Sequence, residues 1–432
     1  MKTQHRIHSP FSPWLGVTLL LAALLPNAES QAQVTLTLKG SYSEPGYGGY
    51  FVEVKGTYAY VSVHGNGTVT PDWGLLVIDV SDPTQPRRVG FYETSSGSWF
   101  WMSGNYAYLA TFAGFSPAGW VPDGLVVLDI KEPAQPRPVG SYPLDGYYPN
   151  VDVVGSYAYV WQSNGSGDLG SSLQVVDVND PANPVKVGSY ETTSGVSGLR
   201  VVGKYAYLCH GYDHHGLEII DVSDPVNPRP VGRDDGVNCG GVQVVGNFAY
   251  LSVYAVLPRA YSLHVMDVSD PSKPVRVGAY PADGLRDVRV VGHYAYLTRV
   301  EGIGSLEGAR SLLDVIDVTD PRHPVFAGRY RARPRSDFGD FDVIGDMVYL
   351  ANLEDGERVL VILEAQFPFR FNPPLRSGDK LRLSWDGAPG IKLQTTPSLT
   401  APNWQDVPGT DGASSVELPL TDPSAFFRLI KP

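Results

Sequence analysis

The stretch Val151-Asp-Val-Val-Gly-Ser-Tyr-Ala-Tyr-Val160 holds two β-like runs joined by a Gly-x pair. Val-Asp-Val alternates apolar and polar positions as a half-buried strand does, and Tyr-Ala-Tyr-Val is rich in strand-favouring residues. The glycine between them accepts the positive φ of a two-residue hairpin turn. The element recurs along the chain. Gly-x-Tyr-Ala-Tyr begins at Gly56, Gly104, Gly155 and Gly203, then returns as Gly246-Asn-Phe-Ala-Tyr250, Gly292-His-Tyr-Ala-Tyr296 and Gly345-Asp-Met-Val-Tyr349. The intervals are 48, 51, 48, 43, 46 and 53 residues. Seven copies at this period predict a seven-bladed β-propeller with four strands to each blade, which takes roughly 40–50 residues.

Outward from the hairpin, each unit adds two more runs. Strands a and b flank the glycine, strand c is an apolar run such as Leu75-Leu-Val-Ile-Asp-Val80, and strand d ends in Val-Gly-x-Tyr, as in Val139-Gly-Ser-Tyr142. Asp-Pro-x-x-Pro joins c to d at Asp82, Asp180, Asp224, Asp270 and Asp320, with Glu132 opening the remaining copy. Proline presets φ there and the acidic side chain caps the turn, so these residues, like the aspartates of Ile-Asp-Val, are read as structural. The seventh unit has a strand c near Val359–Leu363 but no such connector, whereas Leu36-Thr-Leu-Lys-Gly-Ser-Tyr42 is an orphan with the Gly-x-Tyr ending of a d strand. It is expected to complete the seventh blade and close the ring, removing an exposed edge.

The runs Val77-Ile-Asp-Val80, Val127-Leu-Asp-Ile130, Val176-Asp-Val178, Ile220-Asp-Val222 and Ile316-Asp-Val318 resemble the core of the LVIVD repeat family, over roughly Leu36 to Leu363. The resemblance implies a secreted or cell-surface propeller protein and brings no catalytic motif with it.

Composition agrees with an all-β chain: 432 residues with 25 Tyr, 47 Gly and 36 Pro, and no sustained helical period. Lys2 and Arg6, the apolar run Trp14–Leu25 and Ser30-Gln31-Ala32 read as a signal peptide over 1–32, the run being shorter than the roughly 20 residues of a membrane span. The mature chain is then expected to start near Gln33, with no transmembrane segment left and a secreted, periplasmic or cell-surface location. The propeller is assigned to 33–366. A small C-terminal β module follows over 367–432, with strands expected near Leu381–Trp385, Ile391–Thr395, Val416–Leu418 and Phe426–Ile430. This segment resembles a small β module found on many secreted bacterial proteins. The net charge of −12 argues against nucleic acid as a partner. Cys209 and Cys239, the two cysteines, are expected on one face in adjacent blades, close enough to form a disulfide in an exported protein.

A strand meander puts the d–a and b–c connections on one face and the uniform a–b and c–d turns on the other. The first face carries the variation, and long irregular loops on a rigid scaffold are where function concentrates. Its aromatics are the candidates for binding: Trp99 and Trp101 in strand a of blade 2, Trp120 in the b–c loop of that blade, and Tyr148 entering blade 3. Flat apolar rings with a polar handle suit a sugar or a protein surface; plugging the channel is the alternative. A second pattern stands three residues before each repeat glycine: Glu53, Trp101, Asp152, Arg200, Gln243, Arg289 and Asp342. Asp152, Arg200 and Arg289 are candidates to line the channel, or else to tie blades together as ion pairs.

No catalytic residue, resident metal or cofactor is assigned. His210-Gly-Tyr-Asp-His-His215 is the one metal-like run, and it would need ligands from other loops. The expected function is a non-catalytic binding scaffold for a glycan, small molecule or surface protein. A hydrolase, lactonase or lyase at the channel mouth is the rival reading, since fold alone does not exclude it, and a structural envelope component is the third.

Overall fold

The computed structural model describes residues 34–65, 73–94, 98–111, 114–116, 119–121, 124–144, 147–163, 171–192, 195–211, 216–255, 260–302, 309–353, 358–367, 374–385, 391–398, 403–419 and 425–430; of 98, 114–116, 119–121, 147–149, 255 and 430 only the backbone is described. The expected signal peptide therefore lies outside the described residues. All the described elements are strands and turns, and no helix among them is long and apolar enough to cross a membrane. The chain divides into two compact units, one over Val34–Gln366 and one containing Phe367–Pro432.

The first unit holds seven four-stranded antiparallel sheets. Sheet 1 runs a to d as Tyr47–Lys55, Tyr58–Gly65, Trp73–Asp79 and Arg87–Thr94. The a strands of sheets 2 to 7 are Ser98–Ser103, Tyr147–Val154, Val196–Val202, Asn238–Val245, Leu285–Val291 and Phe338–Ile344. Each a strand lies beside that of the next sheet, and Phe338–Ile344 lies beside Tyr47–Lys55, so the seven form a closed cycle about an axis. The arrangement is propeller-like. Strands b and c are sandwiched between neighbouring sheets and bury both faces, which is why their apolar residues are consecutive: Leu75, Leu76, Val77 and Ile78 are all fully buried. One core cluster sits between sheets 7 and 1 (Val61, Ile78, Leu360, Ile362) and another between sheets 1 and 2 (Val77, Phe100, Leu109, Leu128), with further clusters around the ring.

Local chemistry sets the turns. The repeat glycines adopt φ between 56° and 64° with open space where a Cβ would be, so conformation rather than crowding selects glycine. In the Ile-Asp-Val runs the aspartate accepts a backbone N–H two residues on: Ser81 N to Asp79 Oδ1 at 3.0 Å, Asn179 N to Asp177 at 2.8 Å, Thr319 N to Asp317 at 2.9 Å. The Ser81 N–H and hydroxyl, with Arg87, hold the Asp79 carboxyl down at about 2. These residues stabilise turns, as their recurrence suggested.

Ring closure uses the N-terminal strand. Thr35–Tyr42 pairs antiparallel with Leu360–Gln366, Leu38 opposite Leu363 and Tyr42 opposite Leu360, as the fourth strand of sheet 7. In sheets 1 to 5 the d-strand glycine lies under the proline carbonyl of the next sheet's c–d turn; a Cβ on Gly90 would collide with Pro133 O, whereas Gly328 of sheet 6 meets Val34 O. Gly40 meets Pro83 O of sheet 1 in the same way, so the seam repeats the contact made elsewhere in the ring.

The second unit has two three-stranded sheets, Leu375–Ser377/Lys380–Ser384/Ser415–Pro419 and Gln405–Asp406/Lys392–Thr396/Phe426–Ile430. Leu383, Trp385, Ile391 and Leu393 form its core, so Trp385 is a packing residue.

Candidate binding site at the axial mouth

Strand a is the innermost strand, so the outward N–H groups on its axial edge have no ladder partner. Carboxylates three residues before the turn glycine fill that need. Glu53 accepts Met102 N at 2.8 Å, Asp152 accepts Val201 N at 2.7 Å, and Asp342 accepts Val54 N at 2.8 Å. Each reaches the a strand of the following sheet. The ring of polar residues read from the sequence is therefore a set of ties between sheets. The arginines of the ring also pair between sheets: Arg200 with Asp152 at 3.7 Å, and Arg289 with Asp340, two residues outside the ring, at 3.2 Å. Arg200 adds a bond to Gln243 Oε1 at 3.1 Å and sets its guanidinium over the Trp101 ring, 4.3 Å from the centroid.

A second layer lies two residues closer to the variable face. Six of the seven a strands carry a register shift at or just before it, for example between Gly49 and Phe51, Leu285 and Asp287, and Phe338 and Phe341. Such a bulge re-aims the side chains beyond it. The layer is lopsided. Sheets 1 and 2 contribute Phe51 and Trp99, sheet 3 Asn150, sheets 4 and 5 the side-chain-free Gly198 and Gly241, and sheets 6 and 7 Asp287 and Asp340. These seven line a cavity of about 240 Å³ on the axis, together with Glu53, Arg200 and Arg289 at its floor. A second cavity of about 320 Å³, reached from the a–b turn side, shares Glu53, Trp101 and Arg289, so the axis narrows at that level.

Electrostatics follow from burial. Removal from water pushes Glu53 up to about 8 despite Arg289, with Asp342 and Asp340 adding to the rise. Asp287 rises to about 6, first from burial and then from the Asp340 charge beside it. Arg289 faces four carboxyls and stays charged. The Nε atoms of Arg200 and Arg289 are buried without a hydrogen-bond partner.

The aromatic side continues outward. Phe51 and Trp99 overlap with centroids 3.7 Å apart, Tyr50 is 6.2 Å from Phe51 and 5.9 Å from Trp73, and His64 lies 4.1 Å from Trp73. Trp99 keeps 41% of its surface exposed even so. The result is a ledge of five rings running from the cavity onto sheet 1.

Among the predicted residues the structure brings Trp99, Trp101, Arg200 and Arg289 to one cavity. Asp152, only 2% exposed, serves sheets 3 and 4 rather than the opening. The Trp120 backbone lies in a hairpin, Gly114–Ser116 with Gly119–Val121, and Tyr148 is the second residue of strand a of sheet 3; both side chains lie outside the described residues. Trp161, another aromatic of that face, is core. Phe51, Asp287 and Asp340 were missed by sequence reasoning, although all stand five residues before a turn glycine, a count that finds the whole layer. His210 of the metal-like run is fully buried and bonded to Glu218 at 3.0 Å, and 212–215 are outside the described residues. Among the described residues no group of three or more His, Cys, Asp or Glu is placed to hold a metal. Cys209 and Cys239 form a disulfide between sheets 4 and 5, their Cα atoms 5.3 Å apart.

Comparisons with known proteins agree with this architecture. Solved structures similar to the chain include a hypothetical selenium-binding protein from Sulfolobus tokodaii, at 13% identity and a TM-score of 0.53, over 87% of this chain and 94% of that one. Hsv2p of Kluyveromyces lactis matches at 10% identity and a TM-score of 0.46, over 84% and 96% of the respective chains. At 13% identity the likeness to the first is one of fold. A search of curated proteins by sequence finds no match. The LVIVD repeat family matches residues 51–94, 99–143, 145–192, 195–235, 238–281 and 309–332, the first five spanning sheets 1 to 5 and the last the c and d strands of sheet 6. Sheet 7, assembled from both ends of the unit, falls outside those matches. With six such repeats over more than half its length, the chain belongs to the LVIVD repeat family.

Proposed function

We propose that the protein is a non-catalytic binding scaffold that works outside the cytoplasm and takes its ligand at the axial mouth on the variable-loop face. The observation that carries this reading is the ledge of five rings ending in Trp99, which stays exposed above a polar cavity. Exposed aromatic area beside fixed polar groups is how proteins bind sugars and other partly apolar ligands. The Cys209–Cys239 disulfide supports an oxidising compartment. A glycan and metabolite array on the mature protein tests the reading. The expected result is a set of ligands that quench tryptophan fluorescence and are recovered unchanged.

One observation favours the rival enzyme reading: Glu53, with its carboxyl raised by burial to about 8, shares the cavity with the adjacent carboxyls Asp287 and Asp340. Raised carboxyls in a cleft are also what general acids look like. Turnover of an array ligand that stops in Glu53→Gln would establish that reading over ours.

A further inference from the structure

Resting on the binding reading above, we propose that the axial cavity accepts one uncharged, polyhydroxylated ring, the terminal sugar of a neutral glycan, between Phe51/Trp99 and Asp287/Asp340. Three features of the cavity lead there. The first is shape. At about 240 Å³ it falls below the roughly 300–1,000 Å³ of pockets that hold drug-sized ligands. Its room exists because Gly198 and Gly241 put no side chain into the layer; a Cβ on Gly241 would lie 2.9 Å from Asp287 Oδ1. One ring fits, and the rest of a chain would run out along the ledge.

The second feature is the placement of unlike walls. A pyranose has a face of C–H groups and a rim of hydroxyls. The Phe51–Trp99 pair offers the flat apolar surface. Asp287 and Asp340 offer acceptors on the adjoining wall, Asp340 beside the Phe51 strand with Val52 N 3.5 Å from its Oδ2, and the unpartnered Nε groups of Arg200 and Arg289 offer donors from below. Hydroxyls both donate and accept, so one rim satisfies both.

The third feature is charge. All three arginines of the lining are already paired, Arg200 with Asp152, Arg289 with Asp340 and Arg286 with Asp337. Burial keeps Glu53 protonated at neutral pH. Asp287, raised to about 6, is the one remaining carboxylate, and it sits against Asp340. An anionic sugar would meet that carboxylate without a free cation. A cationic one would lose its hydration for a single half-shared partner. Neither repays desolvation.

Calorimetric titration of the full mature protein with methyl glycosides of neutral hexoses, and with the matching uronic acids and amino sugars, tests the proposal. We expect one or more neutral glycosides to bind, and their charged analogues to bind at least about tenfold more weakly. Gly241→Ala narrows the cavity and Asp287→Asn changes its acceptor wall. Each should weaken the neutral glycoside by about tenfold or more with the melting temperature within a few degrees of wild type. If Gly241→Ala does not fold, Asp287→Asn decides alone. Preference for a uronate or an amino sugar overturns the proposal. So does an array ligand whose affinity neither variant changes; that ligand lies on the ledge, and the binding reading survives. An array with no ligand of any kind overturns both.

Discussion

The guanidinium of Arg200 lies over the indole of Trp101, 4.3 Å from the ring centroid, and reaches Asp152 at 3.7 Å. Trp101, Asp152 and Arg200 belong to sheets 2, 3 and 4, and Arg200 also bonds Gln243 of sheet 5, so one side chain joins four sheets at the narrowing of the axis. Asp152 also holds Val201 N. Asp152→Ala leaves that N–H without its acceptor and the arginine without its counter-charge, with Gln243 Oε1 its remaining partner, and should cost about 3 kcal/mol in denaturant unfolding. The double variant Asp152→Ala/Arg200→Ala should cost less than the sum of the two single ones. Strict additivity would mean the pair is not coupled.

Glu53 gives the structure a pH signature. The folded state holds its proton up to about 8, while an exposed glutamate releases it near 4.5. Unfolding therefore releases a proton between those values, and stability falls as pH rises through the window. Met102 N, Arg289, Asp340 and Asp342 are the groups that face it. Asp287, raised to about 6, adds the same trend lower down, so the range from 6 to 8 reports on Glu53. Over that range wild type should lose up to about 1.4 kcal/mol per pH unit relative to Glu53→Gln. Parallel stability curves would show that Glu53 is ionised in the folded protein.

The disulfide closes a loop with a sequence separation of 30 and ties strand b of sheet 4 to strand a of sheet 5. Chain-entropy estimates put such a crosslink at about 3–4 kcal/mol. Cys209→Ala/Cys239→Ala should lower the denaturation midpoint accordingly, and mass spectrometry of the exported wild type should find no free thiol. Two free thiols would remove the crosslink from the account.

Gly40 and Gly56 separate two reasons for glycine. Gly56 has φ of 62° and open space, so Gly56→Ala should cost about 1 kcal/mol through conformation alone. Gly40→Ala drives a methyl into Pro83 O at the ring seam, and should cost about 1–3 kcal/mol with new protease cleavage near the N-terminal strand. An alanine at Gly40 that melts like wild type would mean the seam is not closed by this contact.

The propeller-like fold was legible because each feature is written several times: the turn glycine, the Ile-Asp-Val aspartate and the Asp-Pro turn all recur. The missing connector of the last unit was legible for the same reason, since one blank in a repeated form stands out. The site was only half legible. Counting back three residues from each glycine found Glu53, Arg200 and Arg289, because strand a is regular over that distance. Phe51, Asp287 and Asp340 lie at bulges, where period-two counting from the turn loses the direction of the side chain. Strand a of sheet 2 has no register shift, and there Trp99 was found directly.

The account's central claim is that ligand is held at the axial mouth, against Trp99. Calorimetry of wild type and Trp99→Ala with a ligand taken from the array tests it most directly. Loss of the ring that stays exposed over the cavity should cost about 2 kcal/mol, roughly thirtyfold in affinity, with the melting temperature little changed. Equal affinity in the two proteins would place binding elsewhere and contradict the claim.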